Sequence, residues 1–586
     1  MVSLTLSLGG CTAVMGIKER AFSPLPREAS LEDLVPRDNF YRRLEQMLDL
    51  SFVRDLVRRL YARGGRPSVD PVVFFKLQLV MFFEGLRSER ELMRVAADRI
   101  SVRWYLGYDL HEPLLDHSNL TRTRERFGLW VFRLFFERIV EECAKAGLVR
   151  GDELFFDSTK VEGNAAVDSL APRWAVEAHL EGLFEEGQAA DVAPAEETDD
   201  VLPSARDVAL WEANAAERDW ISRDGAQDRS FQRPWRARTS DTRASRTDPD
   251  ATPMTWGASG RRLGYQAHYV VDGGKARIIL NALVAPAEVT ENRPMLDLLW
   301  RTCFRWKLRP HHVTADGKYG TLENVAALEE AGVRAYLALH ESGSRPGYFT
   351  KGEFRYDSEA DVYSCPAGKL LRPLGKKEGE DRADRETYYR AKAAECASCP
   401  LKPRCTTNKN GRQLRRYPGE RHVDVVRSYR GTAPYEKALR KRKVWIEPLF
   451  AEAKEWHGMR KFRLRTLRRV NAEALLVAAG QNLKRLLFFG GRKPRKPAQV
   501  AALNPPAAYI DSRHFKRYRS GLRGQPKSIL QQAGPLGRPI RMALSLTANL
   551  PNQLPGLPIL EKFARSALYL PLRRSAQRSR CLHDLA

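Results

Sequence analysis

The period of the hydrophobic pattern changes near residue 150. Over 30–150 apolar residues recur at helical spacing. Asp70-Pro71 opens one helix, the aspartate as cap and the proline at the first helical position, and "VVFFKLQLVMFFEGL" (72–86) follows. That run is short and broken by Lys76, Gln78 and Glu84, so it predicts a buried helix and not a membrane span. Ser88 and Glu91 make the S-x-x-E pattern that opens "RELMRVAADRI". Ser118 is the candidate cap of a helix carrying Arg122, Arg124 and Arg126, and "LWVFRLFFERIVEECAKAGLV" gives another with an apolar stripe.

From 153 the pattern is that of strands. "LFFDS" predicts a strand ending on Asp157. A polar insert follows over about 165–260, acidic first and arginine-rich later, with Trp174, Trp211, Trp220 and Trp235 and weak periodicity; partial helix and loop are expected there. "GYQAHYVVD" (264–272) and "ARIILNALVAPA" (276–287) are strands joined by the hairpin signal Gly273-Gly274. "RPMLDLLWRTCFRWK" is a helix, "HHVTADGKYG" a strand running into a turn, "TLENVAALEEAG" a helix and "VRAYLAL" a strand. This order predicts an α/β fold with a mixed sheet flanked by helices. The expected organisation is a disordered extension (1–29), a helical domain (30–150), the α/β domain (151–344), a cysteine-bearing insert (345–415), the second part of the α/β domain (416–490), and a basic, Pro-rich, mostly disordered tail (491–586). The apolar start "MVSLTLSLGGC" lacks the positive region of a signal peptide, so an extension or an upstream start codon is expected there, not export.

Charge narrows the function. Lys and Arg number 98 against 72 Asp and Glu, a formal excess of +26 that is concentrated rather than spread, which points to a polyanion, most simply nucleic acid. In that light the short N-terminal helices, one of them arginine-bearing, suit a helix-turn-helix-like DNA-binding domain, although a plain bundle with a solvated basic face fits the pattern equally. Eight cysteines are too few for a secreted disulfide scaffold of this length. Four of them, Cys365, Cys396, Cys399 and Cys405, cluster as C-x30-C-x2-C-x5-C, a candidate structural zinc set, with free thiols or a redox pair as the alternative.

Three acids stand at predicted element ends. Asp157 closes the first strand, Asp316 closes "HHVTAD", and Glu447 precedes Pro448, which places it at a helix start. Singly, each is an ordinary strand or turn acid. Together, with the first and fourth strands side by side, they are candidates to hold two Mg²⁺ or Mn²⁺ ions for phosphodiester chemistry, since hard oxygen ligands suit such ions and unpaired buried carboxylates repel. Glu162 and Glu452 are the competing acids. Lys454 lies seven residues beyond Glu447, on the same helical face. "FRLRTLRRV", with Arg463 and Arg465 and with Arg460 just before it, is a candidate phosphate-tracking surface.

These segments resemble the bacterial insertion-sequence DDE transposases over roughly 30–490. "LFFDSTKVEGNA" is similar to the first-aspartate segment and "VTADGKYG" to the second. "RKRKVWIEPLFAEAKEWHGMRKFRLRTLRRVNAEALLVAAGQNLKRL" is similar to the glutamate region. The resemblance implies an RNase H-like catalytic domain with a zinc-ribbon-like insert, and Asp157, Asp316 and Glu447 as the catalytic, metal-holding triad. It implies Lys454 on a transposon-end phosphate. Where the family shows Arg and Tyr before the glutamate, this chain has Lys443 and Arg440. The implied activity is Mg-dependent cutting at element ends in double-stranded DNA and joining of the 3′-OH to target DNA, by a homodimer in the bacterial cytoplasm at the nucleoid, away from membranes. A nuclease that cuts without joining, and a decayed or repurposed transposase that only binds DNA, are the alternatives.

Overall fold

Asp70 and Ser88 act as caps, as their spacing predicts. In a computed structural model, Asp70 accepts from the Val72 N–H at 2.9 Å and Ser88 from the Glu91 N–H at 3.4 Å. The structure describes residues 30–61, 68–177, 205–229, 239–255, 260–339, 346–374 and 386–490, all within one unit, Met1–Tyr518. The expectations for 1–29, for Trp235 and for 491–586 lie outside the described residues.

The N-terminal part is helical: α1 (Leu31–Leu34), α2 (Phe40–Met47), α3 (Phe52–Val57), α4 (Pro71–Phe83), α5 (Glu89–Asp98), α6 (Ile100–Leu106) and α7 (His117–Lys145). α4 is buried on nearly every face, with Phe75 stacked on Phe135 at 4.1 Å and Phe74 edge-on to Phe127 at 5.3 Å. No helix among the described residues is long and apolar enough to cross a membrane. One cap differs from expectation. Asp116, not Ser118, caps α7 by accepting from the Ser118 N–H at 2.8 Å, because a carboxylate two residues ahead reaches the unpaired N–H. α7 also runs through both predicted helices, with a break at Gly128, whose φ of 66° only glycine adopts readily.

The α/β part contains β1 (Glu153–Glu162), β2 (Leu170–Pro172), α8 (Ala205–Ile221), α9 (Arg223–Arg229), α10 (Thr239–Thr242), β3 (Arg243–Ser245), β4 (Thr252–Thr255), β5 (Arg261–Asp272), β6 (Ile279–Pro286), α11 (Met295–Trp306), β7 (His312–Gly320), α12 (Leu322–Glu330) and β8 (Arg334–Leu339). The sheet runs β4-β5-β1-β7-β8, with β6 also on β5. β5 is antiparallel to β1, β4 and β6, whereas β1, β7 and β8 are parallel, so the sheet is mixed as predicted. β4, from the polar insert, is an addition. Another insert element, α8, is anchored: Glu217 pairs with Arg133 at 2.9 Å and Arg301 at 2.6 Å, and buried Trp220 donates to Asp297 at 2.8 Å.

The expected zinc-ribbon shape at 345–415 is corrected. β9 (Arg355–Asp357), β10 (Val362–Ser364), β11 (Leu370–Pro373), β12 (Thr387–Ala391) and β13 (Gln413–Arg416) form a five-stranded antiparallel meander, and α13 (Ala393–Ala397) follows β12. Phe354, Tyr363, Leu371, Tyr389 and Leu414 give it a core of its own, which a ribbon held only by metal lacks. α14 (Glu420–Tyr429), α15 (Ala433–Trp445), α16 (Glu447–Trp456) and α17 (Leu467–Phe489) complete the fold.

α17 joins the two main parts. It runs along the outer edge of β6, where Asn482 exchanges two hydrogen bonds with the Ile279 backbone (2.9 and 2.8 Å) and Asn471 does the same with Val284 (2.8 and 2.8 Å). Eleven helical residues rise about 16.5 Å and five strand residues about 16.5 Å, so both asparagines meet the strand in register. Its other side packs on the N-terminal helices. A Cβ at Gly480 would come within 2.5 Å of the Phe82 ring, which itself stacks on His457 at 3.7 Å.

Candidate active site

Asp157 and Asp316 are brought together by register. β1 and β7 pair in parallel from Glu153↔His312 to Phe155↔Thr314, and each aspartate lies two residues further on, on the same face of its strand. The expectation that Asp157 ends the strand is corrected: β1 continues to Glu162, paired throughout with β5. What stops at Phe155 is the pairing with β7. β7 likewise continues to Gly320, with a register shift after Ala315. The two strands part at the acids, which opens the sheet beside Asp157.

Glu447 is the first residue of α16, with Pro448 behind it, as the sequence predicts. The turn at Ile446 ends α15 and begins α16. α15 lies over the face of β1 that carries Phe155 and Asp157. Lys441 pairs with Glu153 and sits 5.5 Å from the Phe155 ring. Arg442 donates to Asp157 Oδ2 at 2.8 Å and to Glu447 Oε1 at 3.4 Å, so one guanidinium holds two of the three acids. Asp157 is 13% exposed and Glu447 52%. Burial pushes the Asp157 carboxyl up to about 6; Arg442 and the Ser158 N–H pull it down, and Asp316 and Glu291 push it further up. Glu291 pairs with Lys318 at 2.5 Å.

The sequence pattern singled out neither Arg442 nor Glu291. The family resemblance placed the cation before the glutamate at Lys443, which is exposed on α15, as is Arg440. Both missed residues had a local signal. Arg442 lies within the basic run before Glu447, and Glu291 lies in the polar "EVTEN" between β6 and α11.

The competing acids are engaged elsewhere. Glu162 pairs with Arg262 and with Lys461 at 3.4 Å, and its backbone bonds to Arg460 and Phe462. Glu452 is held by Lys484 at 2.6 Å, Arg485 at 2.9 Å and Gln481 at 3.1 Å. Among the candidate DNA contacts, Lys454 is half-buried, and burial lowers its pKa. Arg460 is exposed and pairs with Glu455, and Arg465 donates to the Asn164 carbonyl at 3.2 Å. Arg463 pairs at 2.8 Å with Glu89, which also holds buried Arg124, and so ties α5 and α7 to the segment after α16.

Cys365, Cys396, Cys399 and Cys405 line one cavity of about 20 Å³. The Lys369 N–H donates to Cys365 Sγ at 3.2 Å, and Gly368 supplies the left-handed turn (φ 73°) between them. The six described cysteines are all free thiols. Among the described residues, no three His, Cys, Asp or Glu side chains converge as a ready set of metal ligands, either at the acids or at the thiols.

Residues 29–126 match the family described as Transposase domain (DUF772), and residues 364–487 match the family described as Transposase DDE domain. The chain therefore carries a transposase domain near its start and a transposase DDE domain further on. The DDE-domain match takes in the four clustered cysteines, Glu447 and most of α17, whereas Asp157 and Asp316 lie before it. A comparison with curated proteins finds no match. Among solved structures, the piggyBac transposase synaptic complex with hairpin DNA is similar at TM-score 0.30 and 11% identity, covering 91% of this chain and 92% of that one, a score too low to establish a shared fold.

Proposed function

We propose that this transposase cuts DNA at the ends of an insertion sequence and joins the 3′-OH to target DNA, on an RNase H-like sheet. The observation that carries this is the in-register pair Asp157 and Asp316, with Glu447 tied to Asp157 through Arg442. The donors fit a hard divalent cation: they are carboxylates, and two of them already share the positive charge of one guanidinium. Asp157, Asp316 and Glu447 would hold Mg²⁺ or Mn²⁺, which when bound offsets the negative charge that otherwise opposes attack on a phosphodiester.

The chain's own residues do the rest. Arg442 orients Asp157 and Glu447, and Lys318 neutralises Glu291. Lys454, Arg440, Lys443, Arg460 and Arg465 offer cations for backbone phosphates around α16. Handling two element ends calls for two copies of the chain on double-stranded DNA. The four thiols suit a structural zinc ion, with soft sulfur donors and a backbone N–H directed at Cys365.

The test uses labelled duplexes carrying the DNA that flanks the gene. Asp157→Asn, Asp316→Asn and Glu447→Gln should each lower Mg-dependent cleavage about a thousand-fold while leaving duplex binding within about two-fold. Cleavage retained in one variant removes that residue from the triad. Binding without cleavage by the wild type favours a DNA-binding protein only, and cleavage without joined product favours a nuclease.

A further inference from the structure

A cleft of about 860 Å³ lies between the α/β sheet and the five-stranded insert. Its lining carries six Lys and Arg side chains against three Glu, and Lys318, Lys351, Arg415 and Arg427 among them stand in ion pairs. It borders the acids without being lined by them: the backbone N–H of Lys318, a lining residue, donates to Asp316 Oδ1 at 3.0 Å. Lys318 and Glu291 line it, and both act electrostatically on Asp157. On the insert side, Arg415 stacks over the Tyr417 ring at 4.5 Å, and Lys351 lies 6.0 Å from the same ring. Tyr417 is 43% exposed, and Glu386 holds Arg415 in place.

We infer that this cleft binds a short single-stranded stretch of DNA that continues from the phosphodiester at the acids. The inference rests on the function proposed above. A cleft of this volume takes a ligand of about two nucleotides and not a duplex. Aromatic and guanidinium planes backed by cations are the surface that unpaired bases and their phosphates recognise. The wall is also built to keep its shape. Arg412, which lines the cleft, donates to the Cys405 carbonyl at 2.9 Å and to the Phe349 carbonyl at 3.3 Å, so the cysteine turn supports it from behind. Lys351 pairs with Glu420 and fastens the insert to α14. The insert therefore serves as the second wall of a strand channel whose first wall is the catalytic sheet.

The test is fluorescence anisotropy in magnesium-free buffer with two forms of one element-end duplex, blunt and with a four-nucleotide single-stranded extension. The wild type should bind the extended form about ten-fold tighter, the size of one base stack. Arg415→Gln/Tyr417→Ala should lose that preference with blunt binding and the unfolding midpoint unchanged, and Tyr417→Phe should keep it. The inference is overturned by a wild type that does not favour the extension, by a double variant that weakens both duplexes equally, or by one that weakens neither. Wild type that binds neither duplex overturns the transposase reading as well. Triad-dependent cleavage without a preference for the extension overturns the cleft alone.

Discussion

At the scale of residues, the three acids stood out as candidates because each stands at a position where a polar side chain interrupts an apolar element. Arg442 was not. It lies five residues before Glu447, across the turn at Ile446, so counting along one helix does not bring them together. Asp248 went unread for a similar reason: its partners come from β5 and from the start of α17. It accepts from the Tyr265 hydroxyl at 2.6 Å and the Thr466 N–H at 2.9 Å, and burial raises its pKa from 3.8 to about 6. The folded state then holds the extra proton between those two values. Stability is therefore greatest below about pH 4 for this group and falls as pH rises through 6. Asp248→Asn should remove that slope. From pH 4 to pH 7 the unfolding free energy of the variant should gain about 1–3 kcal/mol on the wild type, followed by urea unfolding. Parallel pH profiles would show that the carboxyl ionises as freely when folded as when unfolded.

At the scale of elements, periodicity identified the helices and main strands, and the differences lie at their ends and edges. β1 was expected to stop at Asp157 because the apolar run stops there, yet the antiparallel ladder with β5 carries polar residues to Glu162. β4 and the short strands of the insert gave little signal, since three or four residues do not establish a period. α17 read as a basic helix near the glutamate. Nothing in the sequence singled out its two asparagines, and only the fold reveals that they complete the edge of β6. Asn471→Ala and Asn482→Ala should each cost about 2–4 kcal/mol in denaturant unfolding, because each leaves one buried N–H and one buried carbonyl without a partner. A cost below about 0.5 kcal/mol would mean that water satisfies that edge.

At the scale of the whole molecule, the N-terminal helices and the sheet share one apolar core, and long-range contacts such as Lys351 to Glu420, Arg463 to Glu89, and Phe82 against Gly480 and His457 tie the parts, the insert among them, further. The cysteine turn supports one of these parts. Purified protein should carry about one zinc per chain by elemental analysis, Cys399→Ser should lose it, and Asp157→Asn should retain it. Metal-free wild type with an unchanged unfolding midpoint would reduce the four cysteines to ordinary thiols.

Sequence alone determined the order of the main helices and strands, the basic character and the candidate acids, because these depend on local periodicity, composition and turn residues. Tertiary structure alone decided which acids face one another, which cation stands between them, and that the cysteine-bearing insert forms the wall of a cleft. Those facts depend on strand register and on contacts between residues more than a hundred positions apart, which no local pattern encodes.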